Sequence, residues 1–204
     1  MIRSFLKIAI VLFCSLLFLQ SNTLKAQVLN NNGAAISVTN GVVVQGNTLE
    51  NTAGLITNNG TIGLRGHYIN IGTTSGNGIY NIAGNWTNTG IFNPGIGTVN
   101  FMGNNNQSIT STGGEIFNNL TINNSGASAT NRIVLLNNVN VSGTLTITLG
   151  NVETGINTLY LTNQTPVSLN YTSISGSRVI GKFERGVSVT GNYLFPLGSN
   201  SNYN

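Results

Sequence analysis

From residue 28 onward, apolar residues stand singly, one place apart, among Asn, Thr and Gly. "ISV" puts Ile36 and Val38 on one face, "TIGL" Ile62 and Leu64, "TVNF" Val99 and Phe101, and "LTI" Leu120 and Ile122. The alternation continues with Val139 and Val141 in "VNV". It goes on with Leu145, Ile147 and Leu149 in "TLTITL", and with Leu159 and Leu161 in "LYL". A period of two marks a strand with one buried face. Between the runs stand Asn-Gly, Asn-Asn and Gly-Asn pairs, residues that tolerate the backbone of a sharp corner. No helix is expected after residue 26, because Gly or Asn interrupts nearly every short window.

The runs repeat. "GTIGL", "GTVNF" and "GTLTI" begin at residues 60, 97 and 143, steps of 37 and 46, and "ITNNGTI" returns as "WTNTGIF" 30 residues later. Periods of this size point to stacked coils. Three-residue strands are not stable alone in water, whereas stacked rungs share main-chain hydrogen bonds and extend one core. Identical amide side chains stacked in this way form ladders. The expected fold is all-β: a β-solenoid, specifically a parallel β-helix with irregular coils, over residues 27–165. A β-sandwich or jelly roll is the alternative that the same strands allow. Pro166 and the Ser/Thr-rich "TNQTPVSLNYTSISGS" break the rhythm, so residues 166–204 are expected to form a linker and the start of a short, separate β segment. There "RVIGKFERGVSV" reads as a strand, with Arg178, Ile180, Lys182 and Glu184 on one face and Val179, Gly181, Phe183 and Arg185 on the other. Tyr193, Phe195 and Leu197 then alternate without a visible partner strand, which suggests the N-terminal part of a longer protein.

Composition changes the picture in two ways. Charged residues make up 6% of the chain, against about 25% in ordinary globular proteins. With 35 Asn, 24 Thr and no Asp, the outer surface must be made of amides and hydroxyls. Like charges stacked about 4.8 Å apart would repel along every rung, which accounts for their scarcity. The N-terminus is distinct: Arg3 and Lys7 precede the apolar run Ile8 to Leu19, and "LKAQ" offers cleavage after Ala26. Residues 1–26 thus read as a signal peptide, too short in its apolar run for a comfortable membrane span. Cys14 lies inside that run rather than after it, against lipidation. Three of the eight basic residues belong to the leader, so the mature net charge falls from +4 to +1 and gives no reason to expect nucleic acid. The mature chain has no cysteine and is expected to be secreted or displayed on the outer cell surface.

"GNWTNTGIFNPGIGTVNFMGNNNQSI" followed by "FNNLTINN", then "VNVSGTLTITLGNVETGINTLYL" and "GSRVIGKFERGVSVTGNYLFPLGSNSNY", together resemble a recurrent pattern in large secreted β-solenoid-type surface proteins of Bacteroidota. The resemblance covers roughly residues 84–204 and implies an extracellular location. Members of that group typically end in a sorting domain for type IX secretion, which this sequence lacks.

Candidate chemistry is sparse. Glycosidases of the solenoid type need paired carboxylates. The mature chain offers Glu50, Glu115, Glu153 and Glu184, with His67 as its one histidine. Glu115 beside "TGG" and Glu153 beside "TG" read as solvated loop carboxylates. A lone histidine and no Asp or Cys give no metal site, no calcium repeat and no nucleophile with its base. No cofactor is expected. Trp86, Tyr68 and Tyr80 could stack on a sugar, although Trp86 occupies the place of the aliphatic Ile56 in the repeat, which favours packing inside. Arg178, Lys182 and Arg185 form the one basic cluster, split between two faces of a strand. The expected function is a non-catalytic structural or adhesive surface module, with surface polysaccharide or another cell-surface protein as partner and no membrane contact beyond the signal peptide. A carbohydrate-binding or carbohydrate-active β-helix is the alternative. An ice-binding solenoid, suggested by Thr144, Thr146 and Thr148, comes third.

Overall fold

The computed structural model describes residues 28–172 and 176–199. The chain runs through β1 (Val28–Val38), β2 (Val43–Gly46), β3 (Thr48–Asn58), β4 (Thr61–Leu64), β5 (Tyr68–Asn70), β6 (Thr73–Ser75) and β7 (Ile79–Ile82). It continues through β8 (Trp86–Asn88), β9 (Ile91–Asn93), β10 (Thr98–Phe101), β11 (Gln107–Ser111), β12 (Glu115–Phe117) and β13 (Asn119–Asn123). The last strands are β14 (Arg132–Leu135), β15 (Val139–Val141), β16 (Leu145–Leu149), β17 (Asn151–Leu161), β18 (Leu169–Tyr171) and β19 (Val179–Arg185). They form two sheets of twelve and seven strands, paired in parallel throughout.

This is a β-solenoid of about eight turns. Each of the first seven turns passes once through the seven-stranded sheet and along two sides within the larger one. In the third to sixth turns a corner splits the larger-sheet rung into two short strands, whereas β1, β3 and β17 run through it unbroken. Val43 pairs with Thr61, Thr61 with Ile79 and Ile79 with Thr98, so early turns take 18 or 19 residues. Leu120 pairs with Leu145 and Leu145 with Leu169, so later turns take 24 or 25. A sandwich would pair its neighbours antiparallel and is excluded.

The alternating apolar residues fill the interior as columns. Ile62, Tyr80, Val99, Leu120 and Leu145 lie in register in one column, and Leu64, Ile82, Phe101, Ile122 and Ile147 in the next. All ten are buried. Leu149 departs from the expected inward set. A register shift after Ile122 places it opposite Asn123, and it is 37% exposed.

The motifs at 60, 97 and 143 are the entries to β4, β10 and β16, which are every second strand of the smaller sheet. The steps of 37 and 46 residues in the sequence are therefore two turns each. The 30-residue echo has another origin. Ile56 precedes the corner between β3 and β4, whereas Trp86 precedes the corner between β8 and β9. The two segments match corner to corner on different sides of the solenoid, and Trp86 pairs with Tyr68 rather than following Ile56.

Glycines at the corners are required mainly for contact. A Cβ on Gly78 would lie 2.6 Å from the Gly60 carbonyl oxygen, and one on Gly97 would lie 2.6 Å from that of Gly78. Gly84 sits in the same way on Gly66, and Gly90 on Gly72. None of these has a left-handed φ; successive corners simply stack backbone on backbone.

The separate β segment expected after residue 165 does not exist as such. A 3-10 turn at Pro166–Ser168 forms one more corner, β18 pairs with β16, and β19 pairs with β17 in the same large sheet. Val179 and Phe183 face inward as the alternation indicates. Tyr193, Phe195 and Leu197 do not form a strand face. Pro196 is buried instead, with its carbonyl accepting from Val179 N at 2.7 Å.

Candidate functional site

The buried polar residues form a chain along the solenoid axis. Asn31, Asn51, Asn70 and Asn88 occupy the same corner in four successive turns, each 6% exposed or less. Asn31 Nδ2 donates to Asn51 Oδ1 at 2.9 Å, Asn51 Nδ2 to Asn70 Oδ1 at 2.8 Å, and Asn70 Nδ2 to Asn88 Oδ1 at 2.8 Å. The second hydrogens of the first three go to the main-chain carbonyls of Ala34, Thr73 and Ile91, which fixes the amide orientation. All donors point toward the C-terminal end, so the Asn88 amide needs an acceptor beyond the last asparagine.

That acceptor is Glu115. Its Oε1 accepts from Asn88 Nδ2 at 3.3 Å and from its neighbour Ile116 N at 3.2 Å, and its Oε2 accepts from Trp86 Nε1 at 2.6 Å. Glu115 is 3% exposed, so the expectation of a solvated loop carboxylate is corrected. Thr112, Gly113 and Gly114 do make the turn, but β12 begins at Glu115 and its alternation sets Glu115 and Phe117 on the inner face. That shared face with Phe117 was the available signal. Burial raises the Glu115 pKa to about 7, partly offset by the hydrogen bonds from Trp86, Asn88 and Ile116.

The three aromatic candidates are placed together, but inside. Tyr68 and Trp86 are fully buried and stack at 3.8 Å in adjacent turns, and Tyr80 meets both edge-on. Phe92 and Phe117 complete the cluster around Trp86. A sugar has no access to these rings, and the core alternative for Trp86 is the one realised. The Tyr68 and Tyr80 hydroxyls are buried without a hydrogen bond of good geometry, and burial raises both phenol pKa values well above the ordinary range.

The remaining candidates are dispersed. His67 is exposed, its Nδ1 accepting from Asn85 N at 3.0 Å. Glu153 pairs with Arg132 at 2.7 Å on the outside of the large sheet. Glu50 lies on the outside of β3, five strands away, about 24 Å at ordinary strand spacing. Hydrolytic carboxylate pairs stand about 5–10 Å apart. Among the described residues no three His, Cys, Asp or Glu side chains cluster as a metal site, and no helix is long and apolar enough to cross a membrane. Thr146 pairs outward with Thr121, but Asn100, Asn81 and Gly63 continue that column, so no Thr rank forms.

The basic residues part as the strand alternation indicates. Lys182 Nζ donates to the Ile156 carbonyl at 3.1 Å. Arg185 turns to the other side and binds carbonyls of Leu194 at 3.0 Å and of Thr165 and Pro166 at 3.1 Å each, with its guanidinium 4.9 Å from the centre of the Tyr193 ring. Beside it lies an open cleft of about 330 Å3, lined by Tyr160, Leu161, Thr162, Gln164, Glu184, Arg185 and Gly186. Compared with known proteins, the chain matches no family model, no curated sequence and no solved structure.

Proposed function

We propose that the chain is a non-catalytic structural or adhesive module, secreted and held at the outer cell surface. The observation that carries this reading is the use made of polar side chains. The buried ones are spent on joining turn to turn, as in the ladder from Asn31 to Glu115. Those outside, such as Asn81, Asn100, Thr121 and Thr146, form a neutral face that repeats with each turn. A stack of turns with a neutral, hydrogen-bonding surface suits a spacer or an attachment surface, and among the described residues no carboxylate pair is set out as a hydrolytic acid and base. The basic, apolar leader at residues 1–26 supports export, and the likeness of residues 84–204 to Bacteroidota surface proteins supports display.

Antibody labelling of intact producing cells, with N-terminal sequencing of the exported protein, tests the reading. Labelling without permeabilisation and a mature start near Gln27 are expected, and deletion of the protein should reduce attachment or surface integrity without loss of any hydrolytic activity. An intracellular protein that still begins at Met1 would overturn it.

A further inference from the structure

The cleft at the seventh and eighth turns has the chemistry of a ligand site. Tyr160 and Glu184 are register partners on the outer face of β17 and β19, and Thr162, Gln164 and Gly186 continue the wall around the next corner. A Cβ on Gly186 would lie 2.8 Å from Gln164 Cγ, so glycine there lets the Gln164 side chain lie against the end of β19. The phenol of Tyr160, the amide of Gln164 and the carboxylate of Glu184 make no hydrogen bond or ion pair within the described protein. They offer an aromatic surface, a donor and acceptor amide, and a two-oxygen acceptor to one space. Its volume, about 330 Å3, lies at the small end of ligand clefts.

The neighbouring charges narrow the ligand class. Arg185 has its terminal nitrogens on the Leu194, Thr165 and Pro166 carbonyls and the Ser168 hydroxyl, and its Nε is buried. With these bonds made, it is not free to form the two-pronged pair by which arginine holds a carboxylate or phosphate. Glu184 is the charge left facing the cleft. We infer that this cleft binds a neutral saccharide of one or two rings, with a sugar C–H face on Tyr160 and ring hydroxyls on Glu184 and Gln164. The inference stands apart from the surface role proposed above, which needs no ligand at this position.

Saturation-transfer NMR on the full chain tests it, with cellobiose, maltose, lactose and N,N′-diacetylchitobiose as probes and galacturonic acid and glucose 6-phosphate as charged controls. At least one neutral disaccharide should bind with millimolar affinity, and the charged sugars should not. Tyr160→Ala should weaken binding by roughly tenfold while Tyr160→Phe stays within roughly threefold, since the ring face rather than the hydroxyl supplies the contact. Should Tyr160→Ala fail to fold, Glu184→Gln and Gln164→Ala carry the test, each weakening binding with an unchanged melting temperature. No transfer to any neutral sugar at about 10 mM, equal binding of the uronate, or binding insensitive to all three positions would overturn the inference. Cell-surface labelling is unaffected by any of these results, so the two proposals fail separately.

Discussion

Glu115 carries a carboxyl in the core without an ion-pair partner, held by one indole, one amide and one main-chain N–H. Its pKa is raised from the ordinary 4.5 to about 7 by burial. The folded protein therefore holds this proton more tightly than the unfolded chain does. The resulting stability is complete below pH 4.5 and is lost as the pH rises through 7. Across that window the loss should be on the order of 3 kcal/mol. Urea denaturation followed by Trp86 fluorescence at pH 4.5 and pH 8 should show it, and Glu115→Gln should remove most of the difference. A wild-type stability that is level or rises over this range would refute the protonated, buried carboxyl. The position was partly legible in the sequence: the Gly-Gly turn was evident, but turns suggest solvent. Only the alternation with Phe117 pointed inward, and a charged residue on an inner face is ordinarily read the other way. Trp86 shows the complement, since its burial followed from the repeat even though the repeat partner, Ile56, was on another side.

At the level of elements, strand positions were readable because one apolar residue in two leaves little freedom in register. Val99 and Phe101, Leu120 and Ile122, and Leu145 and Ile147 all face inward as their alternation requires. Turn length was not readable, because "GTIGL", "GTVNF" and "GTLTI" skip every second turn and the strands between them begin differently, with "GIY" at Gly78 and "NNL" at Asn118. What repeats in each early turn is the corner glycine. Gly90 rests on the Gly72 carbonyl, so a side chain there would push two corners apart. Gly113 differs: its φ is +83° and nothing lies within 4 Å of its absent Cβ. Gly90→Ala is expected to cost about 2–4 kcal/mol through overpacking. Gly113→Asn should cost less than about 1 kcal/mol, since Asn accepts the left-handed region. Thermal melting of the two variants separates contact from conformation. Equal losses would show that the corner can relax and that stacking is not what demands glycine at residue 90.

For the whole molecule, the direction of growth matters more than any single turn. A parallel stack exposes main-chain donors and acceptors on its last rung, and natural arrays cover them. Here β19 is the last long strand described, and the chain beyond it folds back over the rung. Val179 N donates to Pro196 O, Gly198 N donates to Val179 O, and Phe195 packs edge-on against Phe183. The sequence suggested a break at Pro166 because a proline with Ser and Thr neighbours resembles a linker. In the fold the same residues form a corner whose carbonyls, at Thr165 and Pro166, serve as acceptors for Arg185. Arg185 also holds the Leu194 carbonyl, and Tyr193 donates to the Gln164 carbonyl at 2.8 Å, so one cation and one phenol tie the final segment to the seventh turn. Arg185→Met keeps most of the side-chain volume and removes these bonds. It should accelerate amide exchange at Val179 and Gly198 by roughly tenfold or more, the equivalent of losing one or two charge-assisted hydrogen bonds. Exchange at Tyr68 and Trp86, in the third and fourth turns, should not change. With the last rung opened, the variant should also self-associate as its concentration rises. Unchanged exchange at Val179 together with a monomeric variant would show that Phe183, Phe195 and Pro196 hold the end by apolar packing alone.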